Sequence, residues 1–228
     1  SKFKNGITVF GSTEYKEKFH GNYKNINFQK FFFESSNIKY TEKFLEYYKK
    51  YNYDLVEIHN RPAVFNYIAK QQDKIKIVFY FHNDPLTLRG SISVEQRNYI
   101  FERAAHLVFV SEWTKERFFK NTNLNMNDSK ISVIYPSVNK KIFNKKKKKI
   151  ILFVGRLNYA KGYDIFCDAI VRILEKYPDW KSYVIGDEPR AKIQVDHPRL
   201  SKLGFLEHKT ILQHYNEASI AVGCSKWQ

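Results

Sequence analysis

The run IKIVFYF at residues 75–81 limits the fold more than any other stretch of the chain, because six of its seven positions are apolar. A strand with one wet face alternates apolar and polar side chains. A near-continuous apolar run instead reads as a strand buried on both faces, the signature of a parallel sheet covered by helices. Parallel neighbours need crossover connections, and those are usually helices. The flanking sequence supplies them. GITVFG (6–11) and YDLVEIH (53–59) read as strands, LVFV (107–110) and ISVIYP (131–136) as two more. Between them lie segments with helical spacing. TEKFLEYYKKY (41–51) places Phe44, Leu45, Tyr48 and Tyr51 on one face, AVFNYIAKQ (63–71) starts after Pro62, and VEQRNYIFERAA spans 94–105. Ser111 is the expected N-cap of EWTKERFFK. Strand–helix alternation of this kind predicts an α/β fold with Rossmann-like domains.

The alternation breaks at 137–149, SVNKKIFNKKKKK, and then restarts. A strand is expected at 150–154, a helix at 162–176 with Phe166, Ile170, Ile173, Leu174 and Tyr177 inward, and a strand at 182–185. A strand-like RLSKLGFL, a helix KTILQHYNEA and a strand SIAVGC follow. This predicts a first domain over 1–139, a lysine-rich linker over 140–149 and a second, incomplete domain over 150–228. Composition agrees with a folded α/β protein: 43% of residues are hydrophobic and 27% charged. Two cysteines, Cys167 and Cys224, are too few for a disulfide scaffold or a zinc site built on paired cysteines, and suit a reducing cytoplasm. No apolar run reaches the roughly 18 residues of a membrane span.

Net charge is +16, from 39 Lys/Arg against 23 Asp/Glu, and residues 140–149 alone hold seven lysines. Excess positive charge can draw nucleic acid, an anionic membrane surface or phosphorylated substrates. The lysine run itself reads as a solvated linker, with membrane attraction as its second reading. Nucleic acid is disfavoured, since the aromatics fall in apolar strand and helix faces and no single-strand-binding motif appears.

The loop in FVGRLNYAKGYDIF carries the chemistry. Gly155 ends a strand, Gly162 opens a helix, and Arg156 and Lys161 lie between. Helix N-terminal amides and two cations suit a diphosphate. Two other phosphate loops fail: Lys161 is followed by glycine rather than Ser or Thr, and Leu157 stands where the dinucleotide fingerprint has its second glycine. Spacing alone leaves a second reading open, two ordinary surface cations on a solvated loop.

The wider pattern resembles the retaining glycosyltransferases of family 4, which have the GT-B fold of two Rossmann-like domains. FVGRLNYAKGYDIFCDAI is similar to the family's donor-diphosphate loop, ISVIYPSVNKKIF to its interdomain passage, and SYVIGDEP to its strand ending in Gly-Asp-Gly. YDLVEIHNRP, VFYFHNDP and AAHLVFVSEWTKERF resemble successive strand ends of its acceptor domain. The resemblance implies transfer of a sugar from a nucleotide diphosphate sugar to a glycan or glycolipid hydroxyl with retention of configuration, in polysaccharide or lipopolysaccharide synthesis. It implies Gly155, Arg156, Lys161 and Gly186 at the donor, His82 beside the donor sugar as a donor to developing charge, and His59 and Asn60 at the acceptor. Arg156 and Lys161 would neutralise the leaving diphosphate, so neither metal nor cofactor is expected. Asp84 is a further candidate base, although Asn-Asp-Pro is also ordinary turn chemistry. The family's acidic motif, expected just after Trp227-Gln228, is missing, and the first strand and glycine-rich loop are expected before residue 1. A non-catalytic sugar-nucleotide binder therefore stays open as an alternative.

Overall fold

The computed structural model describes residues 6–12, 22–29, 35–51, 53–138, 146–190 and 193–226. The chain divides into two compact units, Ser1–Ser137 and Val138–Gln228.

In the first unit, β3 (Val56–His59), β4 (Ile77–Phe81), β5 (His106–Phe109) and β6 (Ile131–Val133) form a four-stranded sheet in that order, every pair parallel. Helices α2 (Pro62–Gln71), α3 (Val94–Arg103) and α4 (Glu112–Phe119) supply the crossovers. The apolar run is buried on one face and half-covered on the other. Ile77, Phe79 and Phe81 are buried outright, and Val78 and Tyr80 on the opposite face are half-covered. Phe79, Phe81, Phe109 and Phe118 build a ring cluster with centroids 4.5–5.4 Å apart. Each such side chain contributes about 1.5–3 kcal/mol on burial. Helix starts are marked as the sequence indicated: Pro62 opens α2, and the Ser111 side chain accepts the Thr114 amide at 3.1 Å. Ser93 and Gln96 form a reciprocal capping box at α3.

Two features depart from the expectation. Helix α1 starts at Ser36, five residues before the expected Thr41, and runs to Tyr51. Tyr51 leaves the apolar face and takes the Lys24 ammonium over its ring, 3.5 Å from the centroid. A short strand β2 (Asn22–Asn25) pairs in parallel with β1 (Thr8–Gly11) in a separate two-stranded sheet. Its sequence, NYKN, has no apolar alternation to announce it.

In the second unit the sheet order is β10 (Ala218–Val222), β7 (Lys148–Val154), β8 (Lys181–Ile185), β9 (Leu200–Lys202), again all parallel. Alternate residues of β7 serve two cores. Ile151 and Phe153 pack with Phe166, Ile170 and Leu174 of α5 (Tyr163–Lys176). Ile150 and Leu152 lie in a second cluster, against which Ile211 of α6 (His208–Glu217) packs. The sheet is therefore covered on both faces. The inner stripe of α5 is Tyr163, Phe166, Cys167, Ile170 and Leu174. Ile173 and Tyr177, expected inside, lie on the exposed flank.

The expected linker 140–149 is also corrected at its end. Residues 139–145 lie outside the described residues, but Lys148 and Lys149 are strand residues of β7. Lys147 Nζ donates to the Tyr215 carbonyl at 3.0 Å, Lys148 pairs with Glu217 at 2.7 Å, and Lys149 pairs with Asp179. Lysines in this stretch can be strand because their charges reach acids and carbonyls at the rim of the sheet. No helix among the described residues is long and apolar enough to cross a membrane.

Candidate functional site

Strand β7 is flanked by β8 on one side and β10 on the other, so the direction of strand succession reverses there. In open parallel sheets, ligands gather beyond the carboxyl ends of strands at such a reversal. The loop 155–162 leaves β7 at this point. Gly155 N–H donates to the Ile185 carbonyl at 3.0 Å, and Leu157 N–H reaches the Asp187 carbonyl, so the loop is fastened to the end of β8. Gly186 makes that approach possible. Its φ is +130°, and a Cβ there would sit 1.9 Å from the Gly155 oxygen.

Asn158 shapes the rest of the loop. Its side chain accepts the Lys161 amide at 3.1 Å and donates to Glu188 at 3.3 Å. The following turn ends at Gly162, φ +66°, where a Cβ would meet the Cys224 carbonyl oxygen at 1.9 Å. The segment after β10 therefore lies against the start of α5. Lys226 N–H donates to the Ala160 carbonyl, and its ammonium pairs with Asp164 at 2.6 Å. That hydrogen bond holds the Asp164 carboxyl below the ordinary carboxylate range.

This geometry revises one expectation. The amides at the start of α5 are largely spent within the fold. Gly162 N–H goes to the Tyr159 carbonyl, Tyr163 N–H to the Asn158 carbonyl, and the first turn already holds the Asp164 carboxylate. What the loop offers an anion is side-chain charge. Arg156 is exposed, and Lys161 is half-buried with its stem beside Gly155. Neither pairs with an acid among the described residues, whereas Lys148, Lys149 and Lys226 in the same unit all do. Asn158, Asp164 and Lys226 were not singled out from the sequence. The N-cap type of Asn158 was a signal for the first of them.

In the first unit, His59 ends β3, and His82 follows β4, its neighbour strand. Their rings stack at 5.2 Å, and His59 Nδ1 lies 2.9 Å from His82 Nε2 in a hydrogen bond. Tyr80 stacks under His59 at 4.4 Å. Burial, with the neighbouring His59 charge adding, pushes the His82 pKa below the ordinary histidine value. Asn60 adopts φ +55°, a conformation Asn tolerates better than most residues. Its side-chain oxygen accepts the His82 and Asn83 amides at 3.3 and 3.2 Å, so it fixes the backbone behind His82.

Asp84 is committed elsewhere. It accepts Arg117 Nε and Nη2 in a forked ion pair, 2.7 Å at the shortest, and the Leu86 amide at 3.0 Å. Burial pushes its carboxyl up, but the Arg117 and Leu86 hydrogen bonds outweigh that and hold it below the ordinary range. A carboxylate so satisfied is a poor base, and the turn reading of Asn-Asp-Pro prevails. A group with a depressed native pKa stabilises above its unfolded value, about 3.9, and loses that contribution as pH falls through the native value. Asp84→Asn is therefore expected to lower the melting temperature by a few degrees at pH 7. The difference from wild type should close as pH drops below about 3.9. A difference that held constant down to acid pH would show that the ion pair is not its source. No group of three or more His, Cys, Asp or Glu that could hold a metal ion occurs among the described residues.

Comparison with known proteins places this geometry. The description "Glycosyltransferase Family 4" matches residues 7–141, and "Glycosyl transferases group 1" matches residues 148–228. Spore coat protein SA of Bacillus subtilis (strain 168) is 25% identical over 214 residues, 79% of this chain and 55% of that protein. The putative glycosyltransferase YtcC of the same organism is 27% identical over 165 residues, 64% of this chain and 40% of that protein. The chain thus spans about half the length of the curated relatives it matches, or less. WaaG, a glycosyltransferase involved in lipopolysaccharide biosynthesis, superposes with a TM-score of 0.65 at 15% identity, covering 97% of this chain and 67% of that one. Anabaena Alr3699/HepE, solved with UDP and glucose, superposes with a TM-score of 0.64 at 15% identity, over 90% of this chain and 61% of that one. The fold is the Rossmann-like α/β architecture of GT-B glycosyltransferases. With a family match over more than half its length, two four-stranded parallel sheets and a cationic loop at a strand reversal, the chain belongs to glycosyltransferase family 4.

Proposed function

We propose that this protein transfers a sugar from a nucleotide diphosphate sugar to a hydroxyl of a glycan or glycolipid, with retention of anomeric configuration. One observation carries the reading: among the described residues, Arg156 and Lys161 stand without acidic partners on the loop that leaves β7 where the strand order reverses. A diphosphate is a leaving group whose negative charge grows as the glycosidic bond breaks. Two preset cations lower the barrier by meeting that charge where it develops. Gly155 and Gly186 serve by bringing the two strand ends within contact, which fixes the base of the loop. The first unit supplies His59, Asn60 and His82, at the ends of β3 and β4, as the proposed contacts to sugar hydroxyls. Among the described residues no side chain is arranged as an activated nucleophile, and the proposed course is leaving-group departure and acceptor attack on the same face.

The test is calorimetric titration of the full-length protein with nucleosides, nucleoside diphosphates and inorganic phosphate, followed by transfer assays with a panel of nucleotide sugars. UDP sugars head the panel, since HepE was solved with UDP-glucose. The expected result is at least about a tenfold preference for diphosphate over nucleoside, equivalent to about 1.4 kcal/mol, together with transfer from one donor. Diphosphate binding without transfer would make the protein a sugar-nucleotide binder. Equal binding of nucleoside and diphosphate would remove the reading altogether.

A further inference from the structure

His82 does not stand alone. On the far side of His59, Nε2 lies 3.7 Å from Glu57 Oε2, while Nδ1 bonds His82 Nε2 at 2.9 Å. We propose that Glu57 and His59 are positioning residues that hold His82 with its proton on Nε2, so that His82 Nδ1 presents a lone pair and accepts a hydrogen bond from a hydroxyl of the sugar substrate. This rests on the transferase reading and deepens it, because it reverses the donor role that the sequence suggested for His82.

The argument is one of proton counting. A neutral imidazole carries one N–H, and which nitrogen carries it is set by the hydrogen bond the other makes. A carboxylate only accepts. His59 Nε2, facing Glu57, is therefore the protonated nitrogen of that ring, because a lone pair there would face a negative charge. His59 Nδ1 is then an acceptor. The 2.9 Å contact needs one proton, and His82 Nε2 must supply it. His82 Nδ1 is left as an acceptor, and it makes no hydrogen bond with any described residue. Both side chains are about half exposed, 52% for His59 and 53% for Glu57, so the carboxylate acts by orienting rather than by strong attraction.

The frame around the dyad is stiff. Tyr80, opposite His59 in the strand register, stacks under both rings, at 4.4 Å from His59 and 6.2 Å from His82. Asn60 holds the His82 amide. The titratable or charged groups facing His82 among the described residues are thus His59 and Glu57 on β3 and Tyr80 on β4. Burial, helped by the Glu57 charge, pushes the Tyr80 phenol up, so it stays neutral through the range of interest. Asp84, two residues on, is consumed by Arg117. An acceptor must be unprotonated. Burial favours the neutral ring of His82. A protonated His59 would carry a hydrogen on Nδ1 as well and could no longer accept from His82, so function is lost on acidification once either ring gains a proton.

Two measurements test this, and they fail independently. The first needs no substrate. In histidine-labelled full-length protein, nitrogen NMR should show a coupling across the hydrogen bond between His59 Nδ1 and His82 Nε2, with His82 Nδ1 giving a pyridine-type signal. His59→Gln should abolish the coupling. A pyrrole-type Nδ1 on His82 would overturn the proposal even if the enzyme is an active transferase. The second is the pH profile of transfer. His59→Gln removes the ring whose protonation breaks the arrangement and leaves the buried His82 as the one that must stay neutral, so the acid limb should move to lower pH. kcat should fall by up to about tenfold, the rate equivalent of one neutral hydrogen bond. An acid limb that stays in place in His59→Gln would make His59 merely structural and would also overturn the proposal. Absence of transfer from every donor would instead strike the transferase reading, leaving the NMR result to judge the dyad.

Discussion

Alanine at Arg156 or Lys161 is expected to lower kcat by roughly 10²–10³-fold, the loss seen when one preset charge-stabilising group is removed. The structure sharpens the reason. Amides that might have shared the work at the start of α5 are bonded to Asn158 and Tyr159 carbonyls, and Asp164 adds a negative charge to the first turn. On the proposed reading, the burden of stabilising a diphosphate therefore falls on the two side chains. Their effect should be larger in the transition state than in the ground state, since charge on the leaving group peaks as the bond breaks. Diphosphate affinity should fall and become less dependent on salt, while nucleoside affinity should hold. Stability should change by less than about 0.5 kcal/mol, as for other substitutions that break no buried contact. Lys149→Ala provides the contrast, because its charge is already paired with Asp179 at the sheet rim. Steady-state kinetics and diphosphate titration of the three variants decide the matter. Turnover within about threefold of wild type, under 1 kcal/mol of barrier, in both Arg156→Ala and Lys161→Ala would leave the loop as two surface cations.

What the sequence could show of this depended on periodicity. The run at 75–81 and the amphipathic α5 are legible because burial on one or both faces is written into side-chain hydrophobicity. Ser111 and Pro62 are legible because capping is a local act. Three things were not. The strand β2 is polar and is held by pairing with β1 rather than by a buried face. Lys148 and Lys149 look like linker because charge runs usually are solvated, yet Glu217 and Asp179 come from distant parts of the chain to neutralise them. The strand order β10–β7–β8–β9 lies in long-range pairing, and it is this order that puts the cationic loop where open parallel sheets gather ligands. The same limit applies to individual residues. Asp84, His59 and Asn60 were visible as polar residues at strand ends. Their division of labour, ion pair, ring partner and backbone clamp, exists only once β3, β4 and α4 are in place.

Gly186→Ala is expected to be among the most damaging single changes in the second unit, and a graded series of glycines can show why. At Gly186 two penalties coincide: φ is +130°, and a Cβ would stand 1.9 Å from the Gly155 oxygen and 2.8 Å from its carbonyl carbon. No flexible side chain can yield, because the obstacle is backbone. At Gly204, φ is +69° and nothing lies within 4 Å of a Cβ, so only the conformational cost remains. At Gly223 nothing lies within 4 Å of a Cβ and φ lies outside the range that side chains avoid. Expected losses are roughly 3–5 kcal/mol at Gly186, reaching the tail reserved for severe steric or strain effects, about 1 kcal/mol at Gly204 and roughly zero at Gly223. In a unit of this size each kcal/mol lowers the melting temperature by about 4–8 °C, so the three variants should separate cleanly in a thermal scan. Function should follow the same order for a structural reason. Relief of the clash at Gly186 must push away Gly155, whose amide is tied to the Ile185 carbonyl and whose next residue is Arg156. Gly186→Ala should therefore lose diphosphate binding even at a temperature where the protein is folded, while Gly204→Ala should keep it. Equal stability of the Gly186 and Gly204 variants would mean that the contact between the ends of β7 and β8 is not what requires glycine, and retained diphosphate binding in folded Gly186→Ala would separate that contact from the site.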